Sequence, residues 1–289
     1  MKTPFLCILF ALLSAFASAQ TSASTAAADR LGWQMAVHSY TFKEFSIFEA
    51  IDKTAALGLK FMSLSGSVSL DGSNKVSTID LSEKDQQAIK DKLKTAGILK
   101  IVNMGVVQLP PDEAKSRKVF NFAKKFGIDM LVAEPEPAAL DLVEKLCKEY
   151  NIRVAIHDHP KPSRYWNPDT VAAAIKGRTP LMGDCADVGH WIRSGLDPLE
   201  CLKKLDGRIL CLHFKDLNEP GMKAHDVPWG TGVGQTKTLM KELLRQGFQG
   251  AFCVEYEYHW KNSSPEIAEC VKFFNAACEE LGGASVKKN

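Results

Sequence analysis

The chain has 289 residues, of which 36 are lysine or arginine and 34 are aspartate or glutamate, and its formal net charge is +2. A nearly neutral charge gives no electrostatic reason to expect binding to nucleic acid or to an anionic membrane, so a small-molecule partner fits better. The length exceeds that of a usual domain, but barrels of alternating strands and helices reach this size as one unit.

The N-terminus is typical of an export signal. An apolar stretch at residues 5–16 follows Lys2 and precedes a small-x-small cleavage sequence at residues 17–19. This stretch is too short for a stable bilayer anchor, and no later segment approaches the required length. We therefore expect residues 1–19 to be removed as a signal peptide and the mature protein to be periplasmic or extracellular. Residues 20–30 are small and polar without periodicity, which predicts a flexible leader outside the fold.

The cysteines indicate a thiol-containing core rather than a disulfide framework. Of the eight cysteines, Cys7 lies in the predicted signal, which leaves an odd number, and no CxxC pair occurs. Several of the others lie in apolar strand-like runs or on apolar helical faces, so we predict free buried thiols. One or two disulfides formed after export are the alternative.

From residue 31 onward, short apolar runs alternate with amphipathic helical stretches. The predicted strands lie at residues 33–40, 60–66, 98–105, 129–134, 152–157, 181–187, 208–216 and 250–257. Helix signals follow the strands, such as the capping box Ser46-x-x-Glu49 and the stop at Gly58. Eight such units in strict alternation favour a closed parallel barrel over an open doubly wound sheet, and no glycine-rich phosphate loop follows the first strand. We predict an α/β fold, a single (β/α)8 TIM barrel at residues 31–284, with its active site at the C-terminal ends of the strands.

Titratable side chains recur at the predicted strand ends. In a barrel of this kind these ends converge on one mouth. Six of the eight ends carry His, Asp or Glu: His38, Glu134, His157, Asp187, His213 and Glu255. Imidazole and carboxylate groups around one cavity suit a divalent metal ion such as Mn, Zn, Co, Fe or Mg. One histidine at a strand end is more commonly a hydrogen-bonded loop residue, so the metal prediction depends on their joint placement.

Three segments carry a resemblance to a known family. DVGHW at residues 187–191, LHFKD at 212–216 and VEYE at 254–257 follow one another in the chain. They resemble the xylose-isomerase-like TIM barrel family of sugar isomerases and epimerases, which also includes inosose dehydratases and endonuclease IV. The resemblance spans nearly the whole mature chain, and its most specific part is the D-x-x-H sequence followed by a strand that ends in histidine.

The resemblance implies a metal site built from the last four strands. In the family the metal is commonly held by an acidic residue after the fifth strand, Asp after the sixth, His after the seventh and Glu after the eighth. The last three match Asp187, His213 and Glu255, whereas His157 stands where a glutamate is usual. We predict all four as ligands. Because a metal-bound imidazole is a poor base, proton exchange between two glutamates is in doubt, and Glu134 could supply the missing carboxylate as ligand or base or could cap the next helix.

Other residues near the mouth are candidates for catalysis or substrate contact. His190 matches the substrate-contacting histidine of the D-x-x-H motif, and it joins Glu255 and Glu134 as a predicted catalytic residue. An indirect role as a partner of the metal ligands is the alternative for His190. The predicted substrate-binding residues are His38, His159, Lys215, His225 and Trp191.

These features predict a divalent-metal-dependent isomerase or epimerase that acts on an unphosphorylated sugar or keto-sugar through a metal-stabilised enediolate. Export and the lack of an arginine cluster in the mouth motifs argue against a sugar phosphate. A keto-sugar or keto-glycoside lyase or dehydratase shares the first step and is the alternative, which the histidine at position 157 favours. A carbohydrate-binding barrel without catalysis is the alternative from another class, and the sequence is compatible with an oligomer.

Overall fold

A computed structural model describes residues 26–286, with side chains to residue 283, so the predicted signal peptide at residues 1–19 lies outside the described residues. Residues 26–31 are helical, and Ala27 and Ala28 are buried in the main core. The prediction of a leader outside the fold is therefore wrong from residue 26 onward, because these small apolar side chains pack against the barrel. Residues 20–25 are not among those described.

Eight parallel strands form a closed barrel, which confirms the predicted α/β fold. The strands are β1 Trp33–His38, β2 Phe61–Ser65, β3 Lys100–Val107, β4 Met130–Ala133, β5 Arg153–His157, β6 Met182–Asp187, β7 Ile209–Phe214 and β8 Gly250–Val254. Each strand pairs with its neighbour in chain order, and β8 closes the barrel by pairing with β1 from Gly250 to Val254. This is the architecture of a (β/α)8 TIM barrel.

Helices connect the strands and cover the outside of the barrel. They are α1 Ile47–Ala56, α2 Glu83–Thr95, α3 Glu113–Phe126, α4 Leu140–Tyr150, α5 Pro168–Ile175, α6 Val188–Arg193, α7 Pro198–Lys204, α8 Thr236–Arg245 and α9 Ser264–Val286. The capping box of Ser46 and Glu49 forms as predicted at the start of α1. Within the described part of the chain, no helix combines the length and the apolar character needed to cross a membrane.

Two short antiparallel ribbons lie outside the barrel sheet. Ser67–Ser69 pairs with Lys75–Ser77 after β2, and Asp216–Leu217 pairs with Asp226–Val227 after β7. Both ribbons follow the carboxyl ends of barrel strands, so they belong to the loops on the side of the predicted mouth.

Alternate residues of each strand face the barrel interior and the helix layer. Two small clusters contain the inner residues, among them Ala36, Val132, Ala155, Cys185, Cys211 and Cys253. The intervening residues, such as Ile156 and Leu212, belong to the main core beneath the helices. Because side chains alternate with a period of two, a residue two positions beyond an inner one also faces inward. This rule directs His38, Glu134, His157, Asp187, His213 and Glu255 to the inner rim of the mouth.

The cysteines agree with the prediction of a thiol-containing core. All seven cysteines in the described part of the chain are free and buried. Cys185 and Cys211 are paired in register on β6 and β7, below the rim. The fold is therefore held together by burial and hydrogen bonds over the described residues, without cross-links.

Candidate functional site

The four predicted metal ligands meet at the C-terminal mouth of the barrel. His157 Nε2 lies 3.1 Å from His213 Nδ1 and 3.6 Å from Asp187 Oδ2. His213 Nδ1 lies 3.0 Å from Glu255 Oε2. All four side chains are at most 10% exposed, so they form a buried polar cluster above the apolar interior of the barrel.

The ammonium group of Lys215 lies inside this cluster. Its Nζ is 3.0 Å from Asp187 Oδ2 and 2.9 Å from one oxygen each of Glu255 and Glu257. No part of the Lys215 side chain is exposed, and this burial does not fit the predicted direct contact with substrate. The carboxylate of the next residue, Asp216, does not join the cluster and accepts hydrogen bonds from loop glycines. One ammonium does not neutralise three carboxylates, so the cluster can accept a further cation.

The charges of the cluster set its protonation. Burial lowers the pKa of His213, but the carboxylates of Glu255 and Asp187 more than offset this and raise it to about 10. Burial raises the pKa of Asp187, yet the ammonium of Lys215 and the hydrogen bonds of His157 and His213 bring it well below its ordinary value. Burial likewise opposes ionisation of Glu255, and Lys215 and His213 hold its pKa low. Without a metal, the imidazolium of His213 faces the carboxylates of Asp187 and Glu255. A bound cation would take the place of the imidazolium proton.

The residues present fit a divalent cation. His157, Asp187, His190 and Glu255 each offer a ligand atom, and these atoms lie within 4.8 Å of one another. Within the described chain, Oδ2 of Asp187 has no hydrogen-bond partner besides its ion-pair contacts. Mixed imidazole and carboxylate donors with two negative charges suit the divalent metals named from the sequence.

Glu134 orients His157 from the side opposite to Asp187. Its Oε1 lies 3.1 Å from His157 Nδ1 and also contacts His159 Nδ1. Burial raises the pKa of Glu134, but the hydrogen bonds to the two imidazoles lower it to about 2. An ionised carboxylate that accepts the Nδ1 proton leaves a lone pair on His157 Nε2, facing Asp187. This geometry favours an orienting role for Glu134 over the predicted catalytic one.

His190 lies beside the cluster because Asp187 caps the helix that follows β6. Asp187 Oδ1 accepts a hydrogen bond of 2.8 Å from the backbone N–H of His190. The His190 ring then places Nε2 3.5 Å from Asp187 Oδ2 and Nδ1 3.1 Å from Arg193 Nη1. Burial lowers the pKa of His190 well below its ordinary value. His190, one of the three predicted catalytic residues, is therefore a neutral imidazole at the mouth.

Sequence reasoning missed a second group of charges behind His190, of which Arg193 and Asp226 are largely buried and Glu257 is partly exposed. Arg193 Nη1 lies 2.7 Å from Glu257 Oε2, and Nη2 lies 2.9 Å from Asp226 Oδ2. Glu257 also contacts Lys215, which joins this group to the metal cluster. Burial raises the pKa of Asp226 to about 7, against the opposing charges of Lys215 and Arg193. Two signals were available: Arg193 follows His190 by about one helical turn, and VEYE carries two glutamates two residues apart.

Both ring nitrogens of His38, a predicted substrate-binding residue, contact the backbone. Nδ1 accepts a hydrogen bond of 3.2 Å from the backbone N–H of Tyr40, and Nε2 lies 3.0 Å from the carbonyl oxygen of Gly105. Burial lowers the pKa of His38 to about 4, so the ring is neutral. Both nitrogens are thus used by the backbone, and the side chain supports the mouth.

The remaining predicted substrate contacts differ in position. Trp191 is completely buried in the main core, so the prediction that it contacts substrate does not fit. His225 lies on the loop after β7 and stacks on Tyr258 with the ring centroids 4.2 Å apart. His159, with 46% of its side chain exposed, stacks on His190 at 5.5 Å and lies where a substrate could reach it.

Two further buried acids, also unforeseen, lie on the outer face of β5 and β6. Asp158 and Asp184 are both fully buried, and their carboxyl groups lie within hydrogen-bond reach of each other. Burial raises the pKa of both side chains well above the ordinary value, and for Asp158 the charge of Asp184 adds to the effect. Asp184 alternates with the inward-facing Cys185 and Asp187, so it faces the helix layer and not the mouth.

A closed α/β barrel with a buried cluster of imidazoles and carboxylates at its C-terminal mouth defines a TIM-barrel enzyme with a candidate metal site. The family model of the xylose isomerase-like TIM barrel matches residues 51–277, and the chain belongs to this family. Members of the family are isomerases, epimerases or dehydratases.

Individual relatives agree with this assignment. The chain is 27% identical over 142 residues to an inosose dehydratase from Clostridium tetani, a match that covers 44% of this chain and 47% of that protein, so it spans about half the length of this curated relative. A solved structure of an uncharacterised protein from Parabacteroides distasonis is 36% identical, with a TM-score of 0.67 over 84% of this chain and 98% of the other. A xylose isomerase-like TIM barrel protein from Mycobacterium smegmatis, solved in complex with magnesium, is 15% identical and shares the fold, with a TM-score of 0.66 over 85% and 96% of the two chains.

Proposed function

We propose that this protein is a divalent-metal-dependent dehydratase or lyase of an unphosphorylated keto-sugar or keto-glycoside. It would remove the proton next to a carbonyl group and then release an oxygen substituent from the neighbouring carbon. One observation supports this proposal over isomerisation. Proton exchange between two glutamates needs one glutamate after the fifth strand and one after the eighth, and only the second of these positions holds a glutamate. Glu255 lies in the cluster, while His157 occupies the position of the other and is held by Glu134.

His157, Asp187, His213 and Glu255 are the residues that would hold the cation. When bound, the cation supplies positive charge that polarises a carbonyl group and stabilises an oxyanion next to it. The chain itself prepares the ligands: Glu134 fixes the ring of His157, and Lys215 keeps the two carboxylates ionised.

Glu255 is the group best placed to remove the proton. Its Oε2 is held by His213 Nδ1 at 3.0 Å and by Lys215 Nζ at 2.9 Å. Its Oε1 lies 3.5 Å from His38 Nδ1, a nitrogen that accepts from the Tyr40 N–H and so carries no proton to share. One oxygen of Glu255 is therefore fixed while the other keeps a free lone pair, as a general base requires.

The departing oxygen needs a proton from another group. His159, the partly exposed imidazole at the mouth, can give this proton, while the neutral His190 stacked on it can donate only a hydrogen bond to the substituent. A phosphate group is not expected on the substrate, because Arg193 beside His190 is already engaged by Glu257 and Asp226.

Isomerisation or epimerisation is the second candidate. It shares the first proton removal, and it needs a group that returns a proton to carbon. The observation in its favour is the partly exposed His159, whose hydrogen bond to Glu134 would allow it to carry that proton.

The test is incubation of the purified, metal-analysed protein with a panel of keto-sugars and keto-glucosides in deuterated water, followed by NMR. We expect metal-dependent loss of the proton next to the carbonyl, with an unsaturated product for the dehydratase or lyase and an epimer for the second candidate. Glu255→Gln should slow exchange by about 10²- to 10⁴-fold, whereas the exposed control Glu136→Gln should not. Sugar binding without any exchange would overturn the proposal in favour of a carbohydrate-binding barrel.

A further inference from the structure

We propose that Arg193 is a positioning residue that fixes the tautomer of His190. In this arrangement His190 carries its proton on Nε2, is excluded from the metal ligands and donates a hydrogen bond from Nε2 into the mouth. The tautomer follows from the contacts of the chain alone. The use of that N–H on a substrate oxygen rests on the function proposed above.

The hydrogen bond between Arg193 and His190 can run in only one direction. Arg193 Nη1 lies 3.1 Å from His190 Nδ1. A guanidinium group has donors and no acceptor, and it does not lose its proton in proteins. Nδ1 of His190 must therefore accept, which requires a lone pair on that nitrogen. An imidazolium has no such lone pair, so the ring is neutral and its proton is on Nε2.

The guanidinium group of Arg193 is held rigidly. Arg193 Nη1 has two hydrogens, and the other one meets Glu257 Oε2 at 2.7 Å. Nη2 lies 2.9 Å from Asp226 Oδ2, and the Arg193 side chain is only 9% exposed. The buried carboxylate of Asp226 and the partly exposed one of Glu257 thus hold the planar fork in place. The fork in turn holds the ring that lies one helical turn before it.

This tautomer of His190 excludes the residue from the metal ligands. A nitrogen binds a metal through its lone pair, so a protonated Nε2 cannot be a ligand. Distances alone would admit His190 to the ligand group with His157, Asp187 and Glu255. The tautomer removes it and leaves His213 as the histidine that completes the set. The Nε2 of His190 lies 3.5 Å from Asp187 Oδ2, beyond the usual hydrogen-bond distance, so its N–H is still available to another acceptor.

The direct test is NMR of the protein labelled with ¹⁵N-histidine, metal-free and after addition of zinc alone. The signals of His190 are those that disappear in His190→Gln. We expect them to show a protonated Nε2 and an unprotonated Nδ1 in both states, while zinc shifts the signals of other mouth histidines. A protonated Nδ1, or a zinc-dependent change of His190 to a ligand nitrogen, would overturn the proposal.

Metal affinity gives a second and independent readout. His190→Gln should keep zinc affinity within about twofold of wild type, whereas the matched variant His213→Gln should lose at least about tenfold. Chelator competition measures both. Equal losses in the two variants would mean that His190 is a ligand and that the assigned tautomer is wrong.

The role of Arg193 is tested by Arg193→Lys and Arg193→Met. Lysine can still donate to Nδ1 and should retain the tautomer, while methionine should allow a mixture of both tautomers. An unchanged tautomer in a folded Arg193→Met protein would remove the positioning role. If that variant does not fold, the wild-type spectra still decide the tautomer. The NMR and zinc-affinity measurements need no substrate. Their outcome is therefore independent of whether the proposed reaction is correct.

Discussion

The two faces of β5 and β6 hold buried acids in opposite electrostatic states. On the inner face, Asp187 contacts the ammonium of Lys215 at 3.0 Å, and its pKa is lowered despite complete burial. On the outer face, Asp158 and Asp184 are buried to the same extent, contact no lysine or arginine among the described residues, and have raised pKa values. Burial is the same on both faces, so the partner decides whether the acid is ionised.

Removal of the cation on the inner face should have the largest effect. Lys215→Met would leave Asp187, Glu255 and Glu257 without their shared ammonium. We expect the free energy of unfolding of the metal-free protein to fall by about 3–5 kcal/mol. Urea unfolding in the presence of EDTA measures this loss.

The same variant with added manganese sharpens the comparison. A divalent cation would replace part of the lost positive charge, so the destabilisation should shrink when manganese is added. The exposed Lys272→Met is the control and should change stability little. An equal loss with and without manganese would mean that the inner face does not hold a cation near Lys215.

A smaller effect is expected at the acid that orients His157. Glu134→Gln removes the charge that accepts the Nδ1 proton, and manganese affinity should fall by about 10- to 100-fold. Titration of the metal-free protein against a competing chelator measures the affinity. Glu136→Gln, two residues away and exposed, should bind as wild type does. Unchanged affinity in Glu134→Gln would count against the orienting role.

On the outer face, removal of charge should stabilise the protein. Burial raises the pKa of Asp184, so above about pH 4 the folded protein holds a proton that the unfolded chain has released, and stability falls as the pH rises. Asp184→Asn removes the part of this dependence that comes from Asp184, while buried Asp158 keeps its own, and should gain about 1 kcal/mol or more at neutral pH, with a smaller gain near about pH 4. Urea midpoints across this range measure the gain. A loss of stability at neutral pH, with no loss in the exposed control Asp91→Asn, would contradict it.

Asp216 shows a third way to bury an acid, and its replacement should have the smallest effect. Its carboxylate accepts from the backbone N–H groups of Gly230, Gly232 and Gly234 at 2.7–3.0 Å. Asp216→Asn keeps the shape but not the charge, so we expect a loss of about 1 kcal/mol. Hydrogen exchange should become faster at residues 230–234 and stay unchanged in α2. Unchanged exchange in the loop would contradict the role given to Asp216.

The barrel and its rim were predictable because both depend on periodicity. Eight apolar runs in alternation with helices predict the closed sheet, and each rim residue follows an inner residue by two positions, as His157 follows Ala155 and His213 follows Cys211. Strand ends were less accurate: β8 ends at Val254 and not at residue 257.

The contacts of individual atoms could not be predicted from the sequence. His38 and His213 occupy equivalent positions on their strands, yet the ring nitrogens of His38 are used by Tyr40 and Gly105, while His213 faces Glu255. Which neighbour reaches a nitrogen depends on loops far apart in the chain. Asp184 did leave a signal, since it is a charged residue at an outward-facing position within an apolar strand.

The buried thiols have a practical consequence for spectroscopy. All seven cysteines of the described chain are buried, and thiols without solvent access react slowly with maleimide reagents. A cysteine placed at Leu99, whose side chain is 70% exposed, would therefore be labelled in preference to these seven in the folded protein. A fluorophore or spin label could be attached at the floor of the barrel, far from the mouth, without replacing the native cysteines.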